Sequence, residues 1–114
     1  MATNTFKLKT KTAVGTSLTV VYTVPTGRSA VIIGLTIANI VSGSVTASAQ
    51  IVSTTSDVET NASVYFIKDI PLPSGSAVEI MSGNKIVLQA GDIVKLKSNT
   101  ASALDASLSI MEIS

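Results

Sequence analysis

The sequence contains no cysteine, no histidine and no tryptophan in 114 residues. Without cysteine there is neither a disulfide nor a thiolate metal site, so stability must come from aliphatic packing and backbone pairing. Without histidine the commonest general base and the commonest metal ligand are missing together. Aromatic residues are only 4% of the chain, which leaves few platforms on which a base or a sugar could stack. Charge is scarce too: 13% of the residues are charged, about half the share usual in soluble domains. A net charge of +1 argues against a dedicated nucleic-acid binder, whose affinity rests on many phosphate-facing cations. No apolar run is long enough to cross a membrane as a helix. The longest, residues 30–41, has about a dozen residues where a span needs roughly 20. Lys7, Lys9 and Lys11 ahead of residues 13–24 imitate an export signal. However, Thr16, Ser17, Thr19 and Thr23 interrupt the apolar part, and Pro25-Thr26-Gly27-Arg28 is not a small-residue cleavage site. Neither a signal peptide nor a membrane segment is expected.

Hydrophobic residues make up 46% of the sequence and mean hydropathy is +0.51. Ser and Thr fill the place of the missing charge, at about a quarter of the residues. Such a surface is polar but weakly hydrated, and burying it against a neighbour requires few ions to be desolvated. This is the composition expected of a subunit that assembles.

Alternation with a period of two dominates the chain. Phe6, Leu8, Thr10 and Thr12 share one face of an opening strand, and Lys7, Lys9 and Lys11 share the other. Leu18, Val20, Tyr22 and Val24 oppose Thr19, Val21 and Thr23, and a turn with Pro25 at its first corner follows. Residues 30–39 are apolar on both faces, as a central strand requires, and Gly34 marks a bend or a close backbone approach. Val45, Ala47, Ala49 and Ile51 alternate with Ser44, Thr46, Ser48 and Gln50. The two small alanines call for a bulky neighbour, Phe66 or Tyr65. A polar loop covers residues 54–62, a strand residues 64–67, and a proline-limited extended segment residues 69–73, which cannot lie in a central ladder. Residues 76–81 and 85–88 flank Ser82-Gly83-Asn84 as a hairpin. Val94 and Leu96 lie opposite Lys95 and Lys97, and Leu104, Ala106, Leu108 and Ile110 form a last strand. These features predict one all-β domain over residues 1–114, an antiparallel β-sandwich of about eight strands, immunoglobulin-like or jelly-roll. Residues 1–12 are either an extended assembly arm or an edge strand. The expected core is Val20, Ile33, Leu35, Ile37, Ile51, Phe66, Leu88, Val94, Leu108 and Ile110.

Chemistry is hard to find in this sequence. Ser74 and Ser76 lack the strand-to-helix elbow of a hydrolase and read as turn residues. Paired carboxylates can carry catalysis, but the acids here, Asp57, Glu59, Asp69, Glu79, Asp92, Asp105 and Glu112, are scattered singly. Asp57 and Glu59 could hold a hard cation weakly, but no calcium-loop pattern surrounds them and a solvated loop is the expectation. Asn61-Ala62-Ser63 is a formal glycosylation sequon, but such matches arise by chance in a Ser/Thr-rich chain and no glycosylation is expected. No catalytic residue, cofactor or metal is expected, and the protein is not expected to be an enzyme. One charged constellation stands out. Lys7, Lys9 and Lys11 on one strand face either guard an exposed edge against open-ended pairing or meet an acidic partner.

Four stretches carry a family resemblance: residues 22–35 (YTVPTGRSAVIIGL), 71–76 (PLPSGS), 85–96 (KIVLQAGDIVKL) and 108–113 (LSIMEI). With these the chain resembles small virion structural proteins of tailed bacteriophages, of the marine and cyanobacterial type. The resemblance implies a virion component assembled in the host cytoplasm. Its role would be a capsid decoration or cement subunit that bridges shell subunits, or alternatively a tail, baseplate or fibre-associated subunit, including a receptor- or carbohydrate-binding module. The partners it implies are the chain itself, as a homo-oligomer with a trimer favoured, and the major capsid protein or other virion subunits, with no nucleic acid and no membrane. The candidate contact residues are Phe6, Lys7, Leu8, Lys9 and Lys11, with Ile70, Pro71, Leu72 and Pro73 as a second group.

Overall fold

The alternating segments become strands of two antiparallel sheets packed face to face. The computed structural model describes residues 3–54, 61–81 and 83–114; Asp57, Glu59 and Ser82 lie outside the described residues. Among the described residues there are nine strands and no helix: β1 (Asn4–Val14), β2 (Thr19–Thr23), β3 (Ser29–Asn39), β4 (Val45–Val52), β5 (Val64–Leu72), β6 (Ala77–Glu79), β7 (Ile86–Leu88), β8 (Ile93–Ser98) and β9 (Leu104–Ile113). Sheet A is ordered β1-β9-β3-β6, with β7 also on β3, and sheet B is ordered β2-β8-β4-β5. When β6 and β7 are taken as one interrupted strand, eight strand positions remain and the chain crosses between the sheets in jelly-roll order. The topology thus separates two architectures that periodicity alone left open.

The core lies between the sheets. Leu35, Ile37, Leu88, Val94, Leu108 and Ile110 are fully buried, Ile51 is buried and Phe66 packs against them. Tyr65 is exposed, and neither residue opposite the two small alanines is aromatic: Ala47 pairs with Ile70 and Ala49 with Ile67. Val20 and Ile33, both expected inside, are instead 44% and 39% exposed. One cause accounts for both. A β-bulge sets two residues of one strand against one of its partner and reverses the facing of everything beyond it. In β2, Val20 pairs with Lys95 and Tyr22 with Val94, so Val21 is the extra residue and Val20 shares the outer face with Lys95. In β3, Ile32 pairs with Ile110 and Gly34 with Ser109, so Ile33 is extra and the buried series runs Ala30, Ile32, then Leu35, Ile37. Gly34 does mark a close approach: a Cβ there would lie 3.2 Å from Glu79 Oε1. That oxygen accepts the backbone N–H of Leu35 at 3.0 Å and of Met81 at 3.1 Å.

The expected hairpin over residues 76–88 does not form. β6 and β7 do not pair with each other; both run antiparallel to β3, one on Thr36–Ala38 and the other on Ala30–Ile32. They are successive pieces of one edge strand, and Met81 between them is buried. The turn after β2 is closed by the Arg28 N–H donating to Pro25 O at 3.2 Å. Pro25 therefore supplies the acceptor rather than a corner, and Gly27, at φ 77, takes the position that needs positive φ. The proline-limited segment is the end of β5, an edge strand of sheet B, where Pro71 costs no inner ladder bond.

Candidate interaction surfaces

β1 is an edge strand held by β9 alone, with Asn4 to Lys11 paired to Ile113 to Ala106 in unbroken register. Its two large apolar side chains point away from the core: Phe6 is 73% exposed and Leu8 63%. From Asn4 to Ala13 no side chain of β1 is buried; the first is Val14. The strand is therefore held by its ladder and by a few polar ties. At its far end the register shifts. Ala13 adopts φ 55, and Asp105 Oδ1 accepts the Thr12 hydroxyl at 2.6 Å and the Ala13 N–H at 3.1 Å. Those two hydrogen bonds hold the Asp105 carboxyl below its ordinary value. An open depression of about 410 Å³, lined by Thr10, Lys11, Thr12, Asp105, Ala106 and Ser107, lies over this irregularity.

The lysine face of β1 turns toward the seam between the sheets. Lys7 Nζ lies 2.9 Å from Glu112 Oε1, and Arg28 Nη1 donates to the same oxygen at 2.9 Å. The Tyr22 hydroxyl donates to Glu112 Oε2 at 2.6 Å, and Lys9 Nζ stands 5.9 Å from the centre of the Tyr22 ring. Glu112 is 2% exposed. The Tyr22 hydrogen bond first, and then Lys7, bring its pKa down from 4.5 to about 2, against the opposing effect of burial. Burial, reinforced by the Glu112 carboxylate, pushes the Tyr22 phenol up. Of the three lysines only Lys11 is exposed. An inward-turned charge on an edge strand is a known guard against indiscriminate pairing, and here Lys7 also neutralises a buried acid. Glu112 was not singled out from the sequence, although a signal existed. It continues the inward alternation Leu104, Ala106, Leu108, Ile110 by one more step.

The outer face of sheet A carries an apolar row that runs from edge to edge. Phe6 pairs with Met111, Met111 with Val31 and Val31 with Val87. Val87 is 68% exposed, so both ends of the row lie open. The second group of candidates is divided. Leu72 is buried at 3% and its carbonyl accepts the Asn39 side-chain amide at 2.9 Å, which removes it from any contact surface. Ile70 is half-buried, and Pro71 and Pro73 are exposed. Ser74 and Ser76 occupy a turn in which Ser76 Oγ donates to Pro73 O at 2.6 Å and Ser74 Oγ to Val41 O at 3.2 Å.

No protein-family model and no curated protein matches the chain. Among solved structures the fold is similar to that of Bacillus endospore appendages, which form a family of disulfide-linked pili. The identity is 16%, the TM-score 0.51, and the match covers 98% of this chain and 86% of that one. It is also similar to a protein of the T13 particle of infectious bursal disease virus, with 6% identity and a TM-score of 0.56, over 96% of this chain and 30% of that one. This chain therefore spans about a third of the viral protein's length. At such identities the likeness is one of fold. Both neighbours belong to assemblies, and neither bears on tailed phages in particular.

Proposed function

We propose that this protein is a non-enzymatic structural subunit of a virus particle, and specifically a decoration or cement subunit on the head of a tailed bacteriophage. The observation that carries the reading is β1, an 11-residue edge strand that shows Phe6 and Leu8 to solvent and buries no side chain before Val14. A strand that contributes so little to its own core is suited to holding something else. Its outer backbone edge can extend a neighbour's sheet, where main-chain bonds give affinity and the apolar side chains fill pockets. The ion-poor surface supports the same reading, and so does a jelly-roll shared with assembly components. The chain has no cysteine, so it would bridge neighbours without covalent links. Several modest contacts joined in one assembly raise net affinity by factors of about 10² or more.

The experiment is to locate the chain in intact particles from its own source by cryo-electron microscopy. The result expected is density for the sandwich at regular positions on the shell, with the edge of β1 against a shell subunit. Density on the tail would replace the head assignment, and absence from purified particles would overturn the proposal. A binding assay with the variant lacking residues 1–12 checks the contact itself. That variant should stay folded and lose its hold on the shell.

A further inference from the structure

The two outer faces of the sandwich carry opposite charge. On sheet A, register places Phe6, Met111, Val31 and Val87 in one row, and Thr10, Ser107, Thr36 and Glu79 in another. Asp105 lies beyond them, opposite Ala38. Within its strands sheet A puts no lysine or arginine on this face, because the lysines of β1 alternate to the other side; the exposed Lys85, one residue ahead of β7, stands at its edge and leaves the two carboxylates in excess among the described residues. On sheet B, Val20, Lys95, Gln50 and Tyr65 form an outer row. Lys68 and Lys97 flank the Tyr65 ring, with Nζ at 5.3 Å and 5.9 Å from its centre. Among the described residues the strands of sheet B thus carry three lysines on this side, two of them beside the Tyr65 ring, and one carboxylate, Asp69, which accepts from the Ser48 hydroxyl.

We propose that copies of this chain associate head to tail, the outer face of sheet A of one copy packing on the outer face of sheet B of the next. This rests on the reading of the chain as an assembly subunit and names the contact between copies. Three features favour a second copy as the occupant. The faces are complementary in sign, which sets orientation and steers encounter. Each offers apolar side chains beside polar ones, the Phe6–Met111–Val31–Val87 row on one side and, on the other, Val20 and Tyr65 at the two ends of the row through Lys95 and Gln50. The molecule measures 48 × 27 × 21 Å, so its broad faces exceed the about 800 Å² that each partner buries in a stable complex. The contact joins two different patches and is heterologous. Because the patches lie on opposite sides of the sandwich, repeating it extends a stack rather than closing a three-membered ring.

The test uses full-length protein and two variants, each blocking one face: Lys95→Glu/Lys97→Glu on sheet B and Ser107→Lys on sheet A. A second pair, Lys68→Glu and Thr36→Lys, guards against a local packing defect in the first. Wild-type protein should form oligomers whose mean size grows with concentration and falls with added salt. Each variant alone should associate at least about tenfold more weakly, since like charges are brought together. Mixing the two variants leaves one intact face on each, so the mixture should yield a one-to-one dimer and nothing larger. Unchanged association of the variants, a wild-type protein that stays monomeric or stops at one closed size, or a mixture that stays monomeric would each overturn the proposal. The virion reading fails separately, by absence of the chain from particles.

Discussion

Replacing Glu112 with glutamine keeps the shape of the side chain and an acceptor for Tyr22 and removes only the charge. In the native protein this carboxylate is 2% exposed and is held by Tyr22 at 2.6 Å and by Lys7 and Arg28 at 2.9 Å each. Its pKa is about 2 in the folded chain against 4.5 for an ordinary glutamate. Since the folded value is the lower one, the unfolded chain takes up the proton first as pH falls. The stabilisation is therefore complete above the ordinary value and is lost as pH drops to the folded one. A difference of that size corresponds to about 3 kcal/mol. The Lys7 and Arg28 side chains are 34% and 42% exposed, and solvent screens their share, leaving about 1–3 kcal/mol. Urea unfolding of wild type and Glu112→Gln, at neutral pH and stepwise from about 5 to about 2, reads this directly. The variant should be less stable by that amount at neutral pH, and the gap should close as the native carboxylate protonates. Asp105 is also held low and weakens both proteins alike, so the gap isolates Glu112. A gap that is absent at neutral pH, or one that persists unchanged at the acid end, would refute the reasoning.

Leu35→Ala, at a fully buried position, should cost about 2–5 kcal/mol, whereas Ile33→Ala at the bulge should cost about 1 kcal/mol or less; denaturant midpoints of the two variants decide. Gly34→Val should push the Glu79 carboxylate off the Leu35 and Met81 N–H groups it accepts and cost about 1–3 kcal/mol, visible as loss of protection of those two amides in hydrogen exchange. Phe6→Ser with Leu8→Ser should leave the unfolding midpoint almost unchanged, because both side chains face solvent, while lowering retention on a hydrophobic column. Removal of residues 1–12 should leave a cooperatively folding sandwich by circular dichroism and thermal melting; loss of folding would show that β1 is needed by its own core.

Most of the fold was legible from alternation, because the facing of a strand follows from its period. The series Val45, Ala47, Ala49, Ile51 and Leu104, Ala106, Leu108, Ile110 are buried as read. The misreadings fall where one residue breaks the period. Val21 and Ile33 are single insertions, and an extra apolar residue flanked by apolar neighbours leaves no trace in the pattern. β6 and β7 were misjudged for another reason. Ser82-Gly83-Asn84 has the composition of a turn, but composition does not say which partner a short strand finds, and β3 offered both segments one continuous edge. At the candidate contact, the outward face of β1 was visible in Phe6 and Leu8. The inward duty of Lys7 was not, since its partner lies at the opposite end of the sequence. The opposed charges of the two outer faces depend on which strands are neighbours, which periodicity does not encode.

The place of β9 has a kinetic consequence. It lies between β1 and β3 in sheet A yet follows every other strand along the chain, so neither β1 nor β3 can complete its ladder until residues 104–113 are available. On a ribosome the apolar β3 would emerge and wait, its Ile32, Leu35 and Ile37 uncovered, while some 65 further residues are added. Loop closure over such a span sets in late, and pairings of this separation fold slowly and expose sticky surface meanwhile. Sheet B has less of this delay between β4 and β5, which are adjacent in the chain. Refolding should therefore show the β4–β5 ladder gaining exchange protection before the ladders that β9 makes, and the yield should depend on holding the nascent β3 apart from its copies on neighbouring chains.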